Sequence, residues 1–438
     1  MSATTRTTTT TKGLGVSLGA TLSTITALRI CLAFTKDVST YLQYEQLLSS
    51  PLTSYTRLQE GLFLFNHDVD PYSGGLFYHS PLYLSIFSTI IPNSRFIASL
   101  LWTFADALGA WALVQIWRAR QGVSSPTSRD SLVAVSYLLN PYTLLPSLAL
   151  STSSLENTLT LLAIMLASQR LHSPSLLALA LLITLNPSSI LLLAPVLLLL
   201  AHPTGPKSNL ASPSTGSVLT TPLLKKTVLP LFAEFFAYIA VLVGASALTS
   251  GGWSWVGQNV FAGVLLPDLT PNTGLWWYFF TEMFDHFRPF FLMVFTMHLL
   301  IYIAPICVKF QHDPLFATLL LQGILGTFKA YPTLADPGLF IAMVSVFPEI
   351  YSHLRHPIVT TLLHIHAALL LPLFNHLWLA HGAGNANFFY ASTLVFACAN
   401  GAGVLDCLWA GLRVGIEKLS TGEKASEDVE EEWTVVQE

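Results

Sequence analysis

Two carboxylates one residue apart, Asp68 and Asp70, stand in the stretch FNHDVDPYSGGLFYHSPL, Phe65 to Leu82. A metal-dependent sugar transferase needs such a pair to reach one divalent ion in an oxygen-rich site, of the kind magnesium or manganese prefers. The same letters also serve a plainer end, because Asp ahead of Pro initiates turns. Glu60 lies upstream in RLQEGLFLF and His79 lies downstream, so an aqueous pocket at a membrane surface could draw on all four groups. The structural alternative is a folded interfacial lid: an amphipathic helix ended by Pro71, a PYSGG turn, and the short apolar PLYLSIFSTIIP.

A second block, PNTGLWWYFFTEMFDHFRPFF at 271–291, is richer. Trp276, Trp277, Tyr278, Phe279 and Phe280 suit a bilayer interface, where amphipathic rings are favoured. Rings alone do not account for Asn272, Glu282, Asp285, His286 and Arg288 among them. On one helix Glu282 and His286 share a face, as do Asp285 and Arg288. A polar stripe beside an aromatic one suits a glycolipid head group. Lys329 in GTFKAYPTLADPG is either a snorkelling lysine or a cation held for phosphate. In HGAGNANFFY, Asn385 and Asn387 precede Phe388 at a helix start; one is an N-cap in the bland reading, and both are donors for sugar hydroxyls or phosphoethanolamine in the other.

Asp106, inside an apolar run, has two readings, a lined cavity or an interhelical hydrogen bond. Glu156 and Glu234 lie near the starts of such runs and read as solvated. Cys31, Cys307, Cys398 and Cys407 all fall in apolar segments without C-x-x-C spacing, which argues burial over disulfide, metal or nucleophile roles. No catalytic residue, metal ligand or cofactor is assigned.

The elements that position these groups are membrane spans. Of 438 residues, 52% are hydrophobic and 10% charged, with mean hydropathy +0.58, against about 25% charged in soluble proteins. Runs long enough to cross a bilayer recur throughout: 13–35, 95–117, 130–150, 153–169, 227–249, 288–309, 314–330, 335–351, 357–380 and 388–412. Residues 176–201 are broken by Asn186-Pro187 into two short spans or a re-entrant hairpin. Basic residues place both termini in the cytosol, leaving 36–94, 250–287, 330–338 and 381–390 together on the lumenal side. We expect a disordered N-terminus at 1–12, one membrane domain at 13–415 with a cytosolic linker at 202–224, and an acidic cytosolic tail at 416–438. No basic patch exists for nucleic acid.

PNTGLWWYFFTEMFDHFRPFF, FKAYPTLADPGLFIA, HLWLAHGAGNANFFYA and EGLFLF followed by PYSGGLFYHSPL stand in an order that resembles the PIG-U family, the multi-spanning subunit of glycosylphosphatidylinositol (GPI) transamidase. The resemblance implies an all-α polytopic membrane protein of the endoplasmic reticulum, glycosyltransferase-C-like. It implies about 10–12 transmembrane helices with lumenal amphipathic and re-entrant segments. It also implies a non-catalytic role in presenting the GPI glycolipid, with PIG-K carrying the cysteine chemistry and PIG-T, PIG-S and GPAA as further partners. Asn385 and Asn387 then meet the head group, Lys329 and Asn272 lie near it, and Trp276, Trp277, Tyr278, Phe279 and Phe388 line the lipid entry. Glu60, His79, Asp106 and Glu282 are secondary candidates. Related mannosyltransferases carry their acidic pair ahead of the E-G segment, whereas Asp68 and Asp70 follow Glu60-Gly61. Membrane lipids are expected partners besides the glycolipid, and the competing readings are a dolichol-phosphate-mannose-dependent mannosyltransferase and a membrane scaffold subunit that binds partners without binding a lipid.

Overall fold

The computed structural model describes residues 17–203, 205–211 and 220–424. Expectations for residues 1–12, for residues 204 and 212–219 of the linker and for the end of the acidic tail lie outside them. The described residues form helices and turns. The chain begins with α1 (Leu18–Ala33) and α2 (Lys36–Gln43), then α3 (Tyr55–Asn66), α4 (Pro81–Thr89) and α5 (Arg95–Gln121). Next come α6 (Ser128–Leu138), α7 (Pro141–Leu148), α8 (Ser153–Ser168), α9 (His172–Leu185) and α10 (Leu193–Ala201). Beyond the linker, the one-turn α11 (Thr221–Leu223) runs through a π-helical turn into α12 (Leu229–Ser250). Short α13 (Ala262–Leu265) and α14 (Trp276–Thr281) precede α15 (Arg288–Ile301) and α16 (Ile303–Lys309). The bundle is completed by α17 (Pro314–Phe328), α18 (Ala335–Val344), α19 (Pro357–Leu379) and α20 (Ala386–Lys424).

Among the described residues, five continuous helical stretches are long and apolar enough to cross a membrane: Arg95–Gln121, Thr221–Ser250, Arg288–Lys309, Pro357–Leu379 and Ala386–Glu417. Several other expected spans are shorter or interrupted. Residues 130–150 divide into α6 and α7 at Asn140-Pro141, and 176–201 divide at Asn186-Pro187. In both places proline cannot donate to the helix ladder and disfavours helical backbone in the residue before it. The asparagine side chain then caps the new helix, accepting from Tyr142 N at 3.0 Å and from Ser188 N at 3.2 Å. The 335–351 run is helical only through Val344, and a 3₁₀ turn covers Pro348–His353.

Burial explains how short helices are tolerated. From Pro314 through Thr327 every side chain of α17 is buried, as expected of a helix that is apolar all round and touches protein on every side. It packs on α10, α18 and α20, and close approach depends on glycine. A Cβ on Gly323 would lie 2.5 Å from Val404, and one on Gly411 would lie 2.4 Å from Phe316. By contrast α12, α15 and α19 leave most of their apolar surface outside the protein.

Helix direction defines two ends of the bundle. α19 and α20 are antiparallel neighbours, and His353 Nε2 lies 3.3 Å from Glu417 Oε2 at one end. Near that end Arg120 is fully buried, pairing with Asp313 at 2.8 Å and Glu349 at 2.5 Å. Ser208, from the start of the linker, donates to the same Glu349 at 2.9 Å, so this part of the linker is held against the bundle. The other end gathers α2, α14, the 330–336 loop and the turn between α19 and α20, through one apolar cluster that includes Leu48, Trp277, Leu334, Leu371 and Phe389.

Candidate functional site

The site begins with a turn. Asn272 is buried; its side-chain oxygen accepts from Gly274 N at 2.8 Å and its amide donates to Thr270 O at 3.1 Å. Gly274 is required by space, because an added Cβ would sit 2.6 Å from Pro332 and 2.8 Å from the Asn272 side-chain oxygen. This turn lies against Pro332 of the 330–336 loop and leads into α14, whose Trp276 donates through Nε1 to Phe328 O, at the end of α17, at 2.8 Å.

α14 then builds an aromatic platform. Trp277 stacks on Trp378 with ring centroids 6.2 Å apart and planes 17° apart, and it also meets Phe389 and Tyr390. Tyr278 lies over Tyr390 at 4.8 Å, and its hydroxyl donates to the Asn387 carboxamide oxygen. Phe279 turns the other way, against Phe291 and Phe295. Asn385 caps α20 by accepting from Phe388 N at 3.2 Å, and both asparagines are exposed. Phe388 is exposed and stacked on Phe374. Residues more than 100 positions apart in sequence, Tyr278 and Asn387, thus share one surface.

Beside the platform is a cavity of about 450 Å³, between α2 with its following turn and the second half of α19. Its wall is mainly leucine, with Glu45, Gln46, Asn375 and His376 as polar members. Among the described residues, the Asn375 amide nitrogen and the Gln46 side-chain oxygen are buried without hydrogen-bond partners, as is Trp277 Nε1 nearby in the same cluster. Buried polar atoms are nearly always paired, so these mark places where a bound molecule or water completes the set.

Other candidates are placed elsewhere. Lys329 is buried, with Nζ 2.5 Å from Asp336 Oδ1, and Asp336 also accepts from Thr333 N at 2.7 Å. Glu156 is buried rather than solvated, because the 330–336 loop folds over the start of α8. It accepts from Asn186 at 2.7 Å and shares a small pocket with Lys329 and Tyr331. Asp106 pairs with Arg29 of α1 at 2.6 Å and receives the Tyr137 hydroxyl at 3.4 Å, which realises the interhelical reading.

His79 is buried, its Nε2 2.9 Å from Ser54 O, and burial lowers its pKa to about 4. Glu60 is exposed on α3, away from the platform cluster. Glu282 is exposed as well, and the proposed shared faces of Glu282 with His286 and Asp285 with Arg288 are not formed. α14 stops at Thr281, a turn follows, and Pro289 opens α15. Asp70 accepts from Tyr72 N at 2.9 Å and Asp68 has φ +59°, so the acidic pair builds a turn. α3 ends at Asn66, five residues before the proline expected to stop it. The four cysteines are free thiols, and the burial expected of all four holds for Cys307 and Cys407 but not for Cys31 and Cys398, which are exposed on the outer faces of α1 and α20.

A helical bundle with several bilayer-length helices and an aromatic, carboxamide-bearing site at one end is a polytopic membrane protein. Comparison with known proteins makes the class specific. The family model for GPI transamidase subunit PIG-U matches residues 23–396. The chain is 33% identical over 373 residues to the GPI transamidase component GAB1 homolog of Schizosaccharomyces pombe, covering 84% of this chain and 86% of that one. It is 33% identical over 370 residues to GPI transamidase component GAB1 of Saccharomyces cerevisiae, covering 84% and 87%. It is 32% identical over 397 residues to GPI-anchor transamidase component PIGU of Homo sapiens, covering 83% and 86%. The chain belongs to the PIG-U family of GPI transamidase subunits.

Arg29, Gln46 and Asn375 were not singled out from sequence. Asn375 had a usable signal, since a carboxamide in the middle of LLLPLFNHLWL is a polar group at membrane depth. Arg29 offered the same signal inside the first apolar run.

Proposed function

We propose that this chain recognises the GPI glycolipid in the endoplasmic reticulum membrane and presents it, without catalysing transfer, to the other subunits of GPI transamidase. The observation that carries the reading is the meeting of the exposed Asn385 and Asn387 with the half-buried Tyr278 at one end of the bundle. Carboxamides donate and accept, as hydroxyl and phosphate oxygens require, and rings at an interface tolerate both sugar and acyl chain. Asn385 and Asn387 meet the head group, while Trp277, Tyr278 and Phe388 line the entry. Asn272, Trp276 and Phe279 hold that surface from beneath. Lys329, engaged with Asp336, acts as a positioning residue for the loop under Trp276. PIG-K, PIG-T, PIG-S and GPAA are the proposed partners, and the N- and C-termini face the cytosol.

The test is an assembled complex carrying Asn385→Ala with Asn387→Ala. Loss of most co-purified GPI and of anchor attachment, with assembly intact, is expected. Unchanged GPI content and attachment would remove these residues from the site.

A further inference from the structure

The cavity between α2 and α19 differs from the platform in position and in chemistry. Resting on the proposed presentation of GPI, we infer that it binds the membrane-proximal part of that lipid, the amino sugar linked to inositol. Its volume of about 450 Å³ falls in the range of roughly 300–1,000 Å³ common for small-molecule sites.

Three polar groups determine the ligand class. The Asn375 amide nitrogen is a donor without a partner, on a residue only 8% exposed, and the Gln46 oxygen is an acceptor without one. A ring hydroxyl answers both, because it donates and accepts. Glu45, which lines the cavity with Tyr41 at its more exposed mouth, adds a carboxylate where an ammonium group would be drawn. A sterol offers one hydroxyl and no cation, and leaves most of this set unpaired. An amino sugar on a polyol supplies several hydroxyls and one ammonium.

Depth agrees with that assignment. Asn375 precedes Ala380, the cap of α19, by five residues. At about 1.5 Å rise per residue this is about 7 Å back along the helix from its end. Asn385 and Asn387 lie past that end. The lipid is therefore read in order, with the inositol-linked sugar in the cavity, the distal glycan toward the asparagines, and the acyl chains along the exposed lower part of α19.

The experiment uses the intact complex and two short-chain probes, glucosaminyl-phosphatidylinositol and its N-acetyl counterpart, which lacks the ammonium charge. Wild type is expected to bind the free amine about ten-fold more tightly, the effect of one lost charge-assisted hydrogen bond. Glu45→Gln should erase that preference, and Asn375→Leu should weaken both probes by about ten-fold. Equal affinity of wild type for the two probes would overturn the inference. So would undiminished binding by Asn375→Leu, or an equal gain in affinity for a sterol. Because Glu45 is at the mouth, its variant remains informative if Asn375→Leu fails to assemble. Full-length GPI retention separates the two proposals: retained GPI without probe discrimination sinks only the cavity assignment, whereas no GPI retained by wild type sinks the presentation reading itself.

Discussion

Lys329 and Asp336 form a buried ion pair, Nζ to Oδ1 at 2.5 Å, that closes the loop following Phe328, the residue whose carbonyl accepts from Trp276 Nε1. Glu156 lines a small pocket together with the same lysine. Burial of charges is tolerated only while they are paired, and removing one partner typically costs about 3–5 kcal/mol. Lys329→Met should lower the thermal stability of the detergent-purified protein by that order and reduce GPI retention with it. Adding Asp336→Asn, which still accepts from Thr333 N, should restore much of the stability. A thermal melt of the two variants decides between this and a dispensable lysine.

Arg29 and Asp106 offer a cleaner double-mutant cycle. The pair joins α1 to α5 at 2.6 Å, with both side chains fully buried, and Arg29 also donates to Leu138 O at 3.1 Å. Asp106→Leu alone should destabilise by roughly 3–5 kcal/mol, because it strands the guanidinium. Arg29→Leu with Asp106→Leu should cost far less than the sum, since an apolar pair of similar volume replaces the charges. Additive losses in chemical denaturation would show that the two residues act separately.

Acid should weaken the loop between α3 and α4 through His79. Its pKa is lowered from 6.5 to about 4 by burial, so the unfolded chain binds its proton more readily than the folded one. Stability from this group is therefore complete above pH 6.5, falls as the pH drops from 6.5 to 4, and is level below that. The 2.5-unit difference corresponds to about 3 kcal/mol at most. Thermal melts across that window should flatten in His79→Gln, which can still donate to Ser54 O, relative to wild type.

Gly274 should tolerate no side chain. A methyl group there would lie 2.6 Å from Pro332 and 2.8 Å from the Asn272 side-chain oxygen, and overpacking of this sort costs about 1–3 kcal/mol. Gly274→Ala is expected to shift α14 and to lower GPI retention more than it lowers the melting temperature. Equal retention in wild type and variant would show that the turn does not set the platform.

Much of this architecture was legible because it rests on local rules. Run length located the longer helices, among them α5, α12, α17, α19 and α20, whereas of the breaks at Asn140-Pro141 and Asn186-Pro187 only the second is expected from sequence. That one of Asn385 and Asn387 is a cap follows from their place before an aromatic helix, and the structure makes it Asn385. What was not legible depends on partners far away in sequence. Nothing near Asp106 names Arg29, 77 residues earlier, and nothing near Gln46 names Asn375. The 282–288 stretch was misread by extending a helical period across RPFF, although proline at 289 favours a helix start there. Glu156 was placed in water because it stands near a helix start; the covering loop comes from residue 330 onward.

The fully enclosed α17 has a consequence for how the membrane protein is made. A span that meets lipid can settle into the bilayer as soon as it emerges from the insertion machinery. α17 has no such face, and two of its contacts, Gly323 with Val404 and Phe316 with Gly411, await a helix that begins at Ala386. Some 58 residues of synthesis separate its end at Phe328 from that start, several seconds at about 5–20 residues per second. Throughout that interval α17 needs a temporary neighbour, so maturation of this subunit is gated by the arrival of α20.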